Sequence, residues 1–383
     1  MGSGSSIFSP SSQCQKFLSA QAGWITFDTS TLLGPSFALT RRRDSEKQVW
    51  TIVIGPVSET CDDVVGKLVP KMIAPISFIC ILLSKFIYGV DIKPISPDHY
   101  IPNRFQGKTI LITGGARGMG RAVAIRAAKE GANIVIADWL AEKGKETANE
   151  ITANGGNAIA LDIDVSKTED AERMVQEAVK AFGRIDYAVN AAGVIDGIHS
   201  GEPIDFSKHS HLFTAPIHSA TDDYWKRVMD VNAGGVFKSL RAELKQMIKQ
   251  GDGGAIVNIA SAVGVVGISY MPAYTASKHA INGLTKSAAI DYAKYGIRVN
   301  SVNMANTDTE MLARTNQIVK ILIENGMFGA NLLKRGSIIH HAQSKHPPST
   351  VWEQASTILL LLSDEASNLT GGIYATDGGY TAY

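Results

Sequence analysis

The chain has 383 residues, 45% of them hydrophobic and 19% charged, with 36 glycines and a formal net charge of +1. Those proportions describe a globular protein rather than a disordered one, and a charge so near zero argues against nucleic acid or an anionic membrane surface as the main partner. The three cysteines, Cys14, Cys61 and Cys80, all lie in the first part of the chain. The remainder therefore has no disulfide framework, no cysteine nucleophile and no thiolate zinc site, and a reducing compartment is expected.

Residues 1–104 read as an N-terminal extension. The opening "MGSGSS" fits a myristoylation pattern, but a flexible or vector-derived Gly/Ser tail is the preferred reading of so permissive a motif. No basic region, apolar stretch and cleavage site open the chain, so a cytoplasmic location is expected. The apolar run between Lys71 and Lys85 contains Pro75 and is thirteen residues long. A membrane span needs about 20 residues, so this run reads as an interfacial or packed segment. Membrane contact through residues 72–90 is the lesser alternative.

From Lys108 the pattern changes. "KTILITGG" is an apolar strand, "RAVAIRAAKEGA" has small apolar residues at helical spacing, and "NIVIAD" is a second strand. The alternation continues through "NAIALDIDV", a helix in "AERMVQEAVKAFG", the strand "IDYAVNAAG" and a helix around 222–249. It ends with "GAIVNIAS", a helix holding "YTASK", and "IRVNSVN". Strands alternating with helices imply an α/β domain over 105–383, a doubly wound parallel sheet flanked by helices, because parallel crossovers need a helix.

The first strand runs straight into "TGGARGMG". Gly114, Gly118 and Gly120 let the chain turn tightly and approach a pyrophosphate, and they let the following helix pack on its strand. Amide groups at that helix start face the phosphates. An acid, Asp138, follows eighteen residues after Gly120 at the end of the second strand, where it can accept hydrogen bonds from an adenosine ribose. A 2′-phosphate there would be repelled by about 4 kcal/mol at 4 Å and an effective dielectric of 20. NAD is the expected cofactor. Arg117 keeps NADP as the minority alternative, its other reading being a solvated loop charge.

Tyr274 and Lys278 stand four apart in "YTASK", a spacing that any helix face supplies. Their surroundings give it meaning. The TGxxxGxG loop, Asp164-Val165, "NAAG" at 190–193 and YxxxK occur in one order and at consistent spacings. In these motifs the chain resembles the short-chain dehydrogenase/reductase family, in its single-domain branch with a Rossmann-like fold. The extended branch expects glycine where Arg117 stands.

The resemblance implies that Asp164 and Val165 border the adenine. It implies that Asn190, Ala191, Ala192 and Gly193 shape the sheet beside the cofactor, that Met119 belongs to the phosphate loop, and that Thr307 and Thr309 lie near the pyrophosphate or nicotinamide. It makes Ser261 the substrate-binding serine, Asn232 the helix-borne asparagine, and the protein a homo-oligomer, dimer or tetramer. One motif departs: Met304 and Ala305 stand where the family has a Pro-Gly pair that stiffens the turn to the nicotinamide.

Interconverting a secondary alcohol and a ketone moves a hydride to or from the nicotinamide and a proton to or from a base. Bringing a tyrosine from its usual pKa near 10 to about 7 takes about 4 kcal/mol, which a lysine ammonium some 4 Å away supplies at a dielectric near 20. Tyr274 is thus the expected acid/base and Lys278 its tuner, and the resemblance implies that Lys278 also bonds the nicotinamide ribose. Ser261 binds the substrate oxygen. Asn232 holds a water linking Lys278 to solvent.

Two long stretches, 194–223 and the one after Thr309, are expected to form substrate walls and a lid. They contain His199, His209, His211, His218, His340, His341 and His346, whose spacing matches no zinc motif, and no metal is expected. Phe206, Phe213, Met327 and Phe328 suggest a substrate with a hydrophobic or ring-bearing body. The rival reading is a dinucleotide-binding sensor or scaffold that has lost turnover, motivated by the missing Pro-Gly pair.

Overall fold

The computed structural model of the chain describes residues 37–44, 47–54, 93–326 and 348–382. The expectations for Met1–Ser6, the three cysteines, residues 72–90, Met327, Phe328, His340, His341 and His346 lie outside them. The chain divides into two units, Met1–Ile87 and Tyr88–Tyr383. In the first, strands β1 (Phe37–Asp44) and β2 (Lys47–Ile54) pair antiparallel, Phe37 opposite Ile54.

The second unit is built on seven parallel strands: β3 (Thr109–Thr113), β4 (Asn133–Asp138), β5 (Asn157–Asp162), β6 (Tyr187–Asn190), β7 (Gly254–Ile259), β8 (Ile297–Met304) and β9 (Ile373–Thr376). Their order in the sheet is β5-β4-β3-β6-β7-β8-β9. All five residues of β3 are buried, the mark of a strand covered on both faces. On one face Ile110 and Ile112 pack with helices α1 (Gly118–Lys129) and, after α2 (Ala141–Ala153) in the chain, with the late helix at Val351–Leu362. On the other face Leu111 packs with α3 (Thr168–Phe182) and with the helices around Val236 and Ile281. This is a Rossmann-like, doubly wound fold.

The chain leaves β3 toward β4 on one side and resumes at β6 on the other. Such a reversal leaves a crevice at the carboxyl ends of the two strands, where doubly wound proteins bind ligands.

The single helix expected over 222–249 is two helices, α4 (Asp222–Val231) and α5 (Ala233–Gln250), separated at Asn232. The break has a cause in the Asn232 side chain. Its Oδ1 accepts from Val194 N at 2.8 Å and its Nδ2 donates to Val194 O at 2.9 Å, so the amide clamps the main chain beyond β6. The remaining long helices among the described residues are α6 (Pro272–Tyr292), with proline in its first turn, α7 (Glu310–Glu324), and α8, the Val351–Leu362 helix. Thr350 and Glu353 close a capping box at the start of α8.

Candidate active site

At the end of β3 the backbone turns through Gly114 at φ +68°, and a Cβ there would stand 2.7 Å from Ala192 N. At Gly120 a Cβ would meet Gly114 O at 2.2 Å, so no side chain fits where the first turn of α1 folds against the loop. Arg117 precedes α1 without a side-chain cap, and the first turn has no acid. Its free N–H groups and positive dipole end suit an anion.

Asp138, at the end of β4, is buried. Its Oδ2 accepts from Ala116 N at 3.0 Å and its Oδ1 from Leu140 N at 2.9 Å, which ties the phosphate loop to the turn after β4. A carboxylate has about four acceptor positions, so both oxygens keep capacity for ribose hydroxyls. Trp139 follows, with the His199 ring 4.4 Å from its own and the Arg227 guanidinium 4.9 Å from its centre.

A cavity of about 1060 Å³ runs from this loop past the ends of β6, β7 and β8 to Tyr380. Of the catalytic and cofactor-binding residues named from the sequence, all line it except Asp164, Asn190 and Asn232. Asp164 instead accepts from Ser166 N at 3.0 Å and Ser166 Oγ at 2.7 Å, closing the turn before α3. Asn190 points into the core. Asn232 has no exposed surface, and besides clamping Val194 it donates to Ser277 Oγ at 3.0 Å.

Tyr274 stands in the first turn of α6 with Lys278 one turn later, the Lys278 Nζ 5.5 Å from the centre of the tyrosine ring. Lys278 Nζ donates to Ile259 O at 2.9 Å, and burial lowers its pKa to about 8. Burial pushes the Tyr274 hydroxyl up to about 12, against the lowering effect of the Ser261 hydroxyl beside it. Burial thus works against the expected tuning of Tyr274 toward neutrality. Desolvation dominates at Tyr274, and the Lys278 ammonium is turned to the Ile259 carbonyl.

Ser261 Oγ is 3.3 Å from Met304 O, to which it donates. The turn after Met304 has no proline, but a short ladder holds it: Asp308 N donates to Ser349 O at 2.9 Å and Ser349 N to Asn306 O at 3.0 Å. Thr307 Oγ1 lies 3.2 Å from Ser349 Oγ. Thr309 caps α7, and its methyl would be 3.4 Å from a Cβ at Gly118, so it stands over the phosphate loop.

The stretch 194–223 and α7 pack on each other. Ile198, Phe213, Ile318 and Leu322 form a small core of their own. Beside it Arg314 grips buried Asp196 through two bonds, at 2.9 and 3.2 Å. Phe206 and Phe213 stack on each other at 5.5 Å and do not line the cavity, so they build the cover and not the substrate wall. Val263, Val266, Ile268 and Met271 give the wall its apolar face. The described loop histidines go to separate places: His199 to Trp139, His209 to within 4.0 Å of Glu202, His211 and His218 to the surface. Among the described residues no three His, Cys, Asp or Glu gather as a metal site, and no helix is long and apolar enough to cross a membrane.

Sequence reasoning missed several buried polar residues around the site. Tyr224 is fully buried and its hydroxyl meets Thr214 Oγ1 at 3.5 Å, while Ser277 Oγ donates to Tyr274 O at 2.8 Å. Glu243 is also fully buried. Its signal was legible: it falls on the stripe Val236, Leu240, Leu244, Met247, where an acid breaks the apolar pattern.

Residues 108–319 match the family model described as short chain dehydrogenase. A 3beta-hydroxysteroid dehydrogenase of Mediterraneibacter gnavus is 37% identical over 289 residues, 74% of this chain and 98% of that one. A cyclohexanol dehydrogenase of an Acinetobacter species is 34% identical, covering 73% of this chain and 97% of the other. The crystal structure of levodione reductase superposes with a TM-score of 0.61 at 30% identity, over 73% of this chain and all of that one. The chain belongs to the short-chain dehydrogenase family, and with it to the oxidoreductases.

Proposed function

We propose that this protein interconverts a secondary alcohol and a ketone with NAD as hydride carrier, and that the alcohol carbon belongs to a hydrophobic or cyclic body. The observation that carries the reading is the meeting of Ser261, Tyr274 and Lys278 at one end of a cavity whose other end is a glycine loop, an uncapped helix start and Asp138. The loop glycines and α1 would hold the pyrophosphate, Asp138 the adenosine ribose, Lys278 the nicotinamide ribose. Bound there, the cofactor supplies or accepts a hydride.

The residues do the rest. Ser261 holds the substrate oxygen and stabilises charge that develops on it. With its pKa near 12, the Tyr274 hydroxyl is protonated at neutral pH and is a ready proton donor for ketone reduction. In the alcohol direction it must first lose that proton. Lys278, with a pKa near 8, exchanges protons in the working range and connects the tyrosine to solvent. Asn232 supports this path by holding Val194 and Ser277 in place.

The carboxylate of Asp138 favours NAD over NADP, and Arg117 on the cavity wall keeps NADP as the alternative. The apolar wall and the names of the relatives, which act on cyclohexanol and hydroxysteroids, support a ring-bearing substrate. Trp225 on α4 and Phe237 on α5, each about half exposed, support a dimer or tetramer of like subunits. A cytoplasmic location belongs to the same reading. The ladder to Ser349 weighs against the inactive sensor, because it holds the turn that the missing Pro-Gly pair left open to question.

Oxidation of NADH and NADPH by a panel of cyclic and aliphatic ketones, with Tyr274→Phe in parallel, tests the proposal. The expected result is turnover favouring NADH and cyclic ketones, with a loss of about 100-fold or more in the variant. Equal turnover by wild type and variant would remove Tyr274 from the chemistry.

A further inference from the structure

On the inward stripe of α5, Glu243 sits among apolar side chains with no exposed surface. Its Oε2 accepts from Asn190 Nδ2 at 3.1 Å. The same amide nitrogen donates to Asn258 Oδ1 at 3.0 Å, and Asn258 Nδ2 donates onward to Thr285 Oγ1 at 3.0 Å. Two atoms are left over: Glu243 Oε1 and Asn190 Oδ1 are both buried without a hydrogen-bond partner. An ionised carboxylate only accepts, so charge on Glu243 leaves two bare acceptors on side chains already joined at their other atoms. One proton resolves both. It makes Oε1 a donor, and Asn190 Oδ1 is the acceptor on the same partner.

We propose that Glu243 is held as a neutral carboxylic acid, paired with the Asn190 amide through two hydrogen bonds, and that this pair positions the Asn190–Gly193 turn against the dinucleotide. The proposal rests on reading the cavity as a dinucleotide site. Asn190 ends β6, and the next three residues line the cavity. From the β3 side the turn is held by Ala191 N donating to Thr113 O at 3.2 Å and Ala192 N to Thr113 Oγ1 at 3.3 Å. From the α5 side it is held by the acid–amide pair. Loss of the proton to solvent turns the second bond into a contact between two acceptors.

The surroundings bring the charged form no cation. Burial pushes Glu243 up to about 7, and the Asn190 bond alone opposes the rise. On α5 itself, Arg241 bonds Thr168 and Lys245 lies 3.9 Å from Glu172, both toward α3. On α4, Tyr224 is turned to Thr214, Lys226 is paired with Asp230, and Arg227 lies over Trp139. On α6, Tyr274 and Lys278 line the cavity. On β6, Tyr187 packs on the opposite face of the sheet against Phe105. Glu243→Gln keeps both bonds of the pair without a titrating proton, whereas Glu243→Leu keeps neither.

Infrared spectra of the full chain at pH 6 and pH 9, and NADH dissociation constants across the same range, test this. The expected result is a protonated-carboxyl band at pH 6 that fades by pH 9 and is missing from Glu243→Gln. Between pH 6 and pH 9 NADH binding should weaken about 3- to 10-fold more in the wild type than in Glu243→Gln, the effect of one lost hydrogen bond, with only the change due to Lys278 left in the variant. Glu243→Leu should bind weakly throughout. An ionised Glu243 hydrated by a buried water shared with Ser239, whose Oγ also lacks a partner, gives no band at pH 6 and overturns the proposal. So does a pH dependence of binding identical in wild type and Glu243→Gln. If neither variant folds, the wild-type band alone decides the pairing. NADH that binds at no pH contradicts the functional reading and removes the positioning role with it, while the band still tests the pair.

Discussion

At the scale of single residues, burial sets the chemistry of the site more than charge pairing does. Tyr274 is pushed up to about 12 and Lys278 down to about 8, each chiefly by loss of water. Alcohol oxidation needs the tyrosine deprotonated, so its rate should climb through about pH 7 to 10, while ketone reduction should show no such rise. Initial rates in both directions check this, and an oxidation rate flat from pH 7 would contradict it. Glu243 links the same effect to stability. Its pKa rises from 4.5 to about 7 on folding, so the folded chain keeps a proton that the unfolded chain has released. The stability it contributes is full below pH 4.5 and is lost as pH rises through about 7, a change of about 3 kcal/mol. Denaturant titrations at several pH values should show that slope in the wild type and not in Glu243→Gln. The positions of Tyr274, Lys278 and Ser261 were legible because spaced motifs mark them. Their pKa values were not, because depth of burial is a property of the packed chain.

At the scale of elements, the strands and most helices follow from apolar runs and helical spacing, and the glycine loop from its three fixed glycines. The division of 222–249 into α4 and α5 did not, because it depends on Asn232 reaching Val194, a contact 38 residues distant in the chain. Phe206 and Phe213 read as substrate-wall candidates because composition cannot say which way a loop side chain turns; they stack within the cover. That cover depends on Asp196 and Arg314. Arg314→Ala leaves Asp196 buried without its cation, and removing one member of such a pair costs about 3 kcal/mol or more. The expected outcome is a lower melting temperature and a raised KM for the ketone, with kcat changed less. A variant with wild-type KM would show that the cover does not bear on substrate binding.

At the scale of the whole molecule, the second unit joins the glycine-loop crevice at the β3/β6 reversal to an apolar chamber beside Tyr274, within a continuous cavity. That arrangement was the part of the fold most open to sequence reading, since alternating strands and helices dictate the parallel sheet and the sheet dictates where the crevice lies. The acid–amide pair beneath the crevice was not read, although a glutamate on an apolar helical stripe marked its place. The claim on which the account stands is that this chain transfers a hydride. The most direct measurement is mass spectrometry of the alcohol formed when the protein is mixed with a cyclic ketone and NADH deuterated on either face of its nicotinamide C4. The account predicts deuterium on the carbinol carbon from one of the two NADH forms, and no labelled alcohol with Tyr274→Phe on the same timescale. Bound NADH with no labelled alcohol from any ketone of the panel would contradict it and favour the dinucleotide-binding sensor.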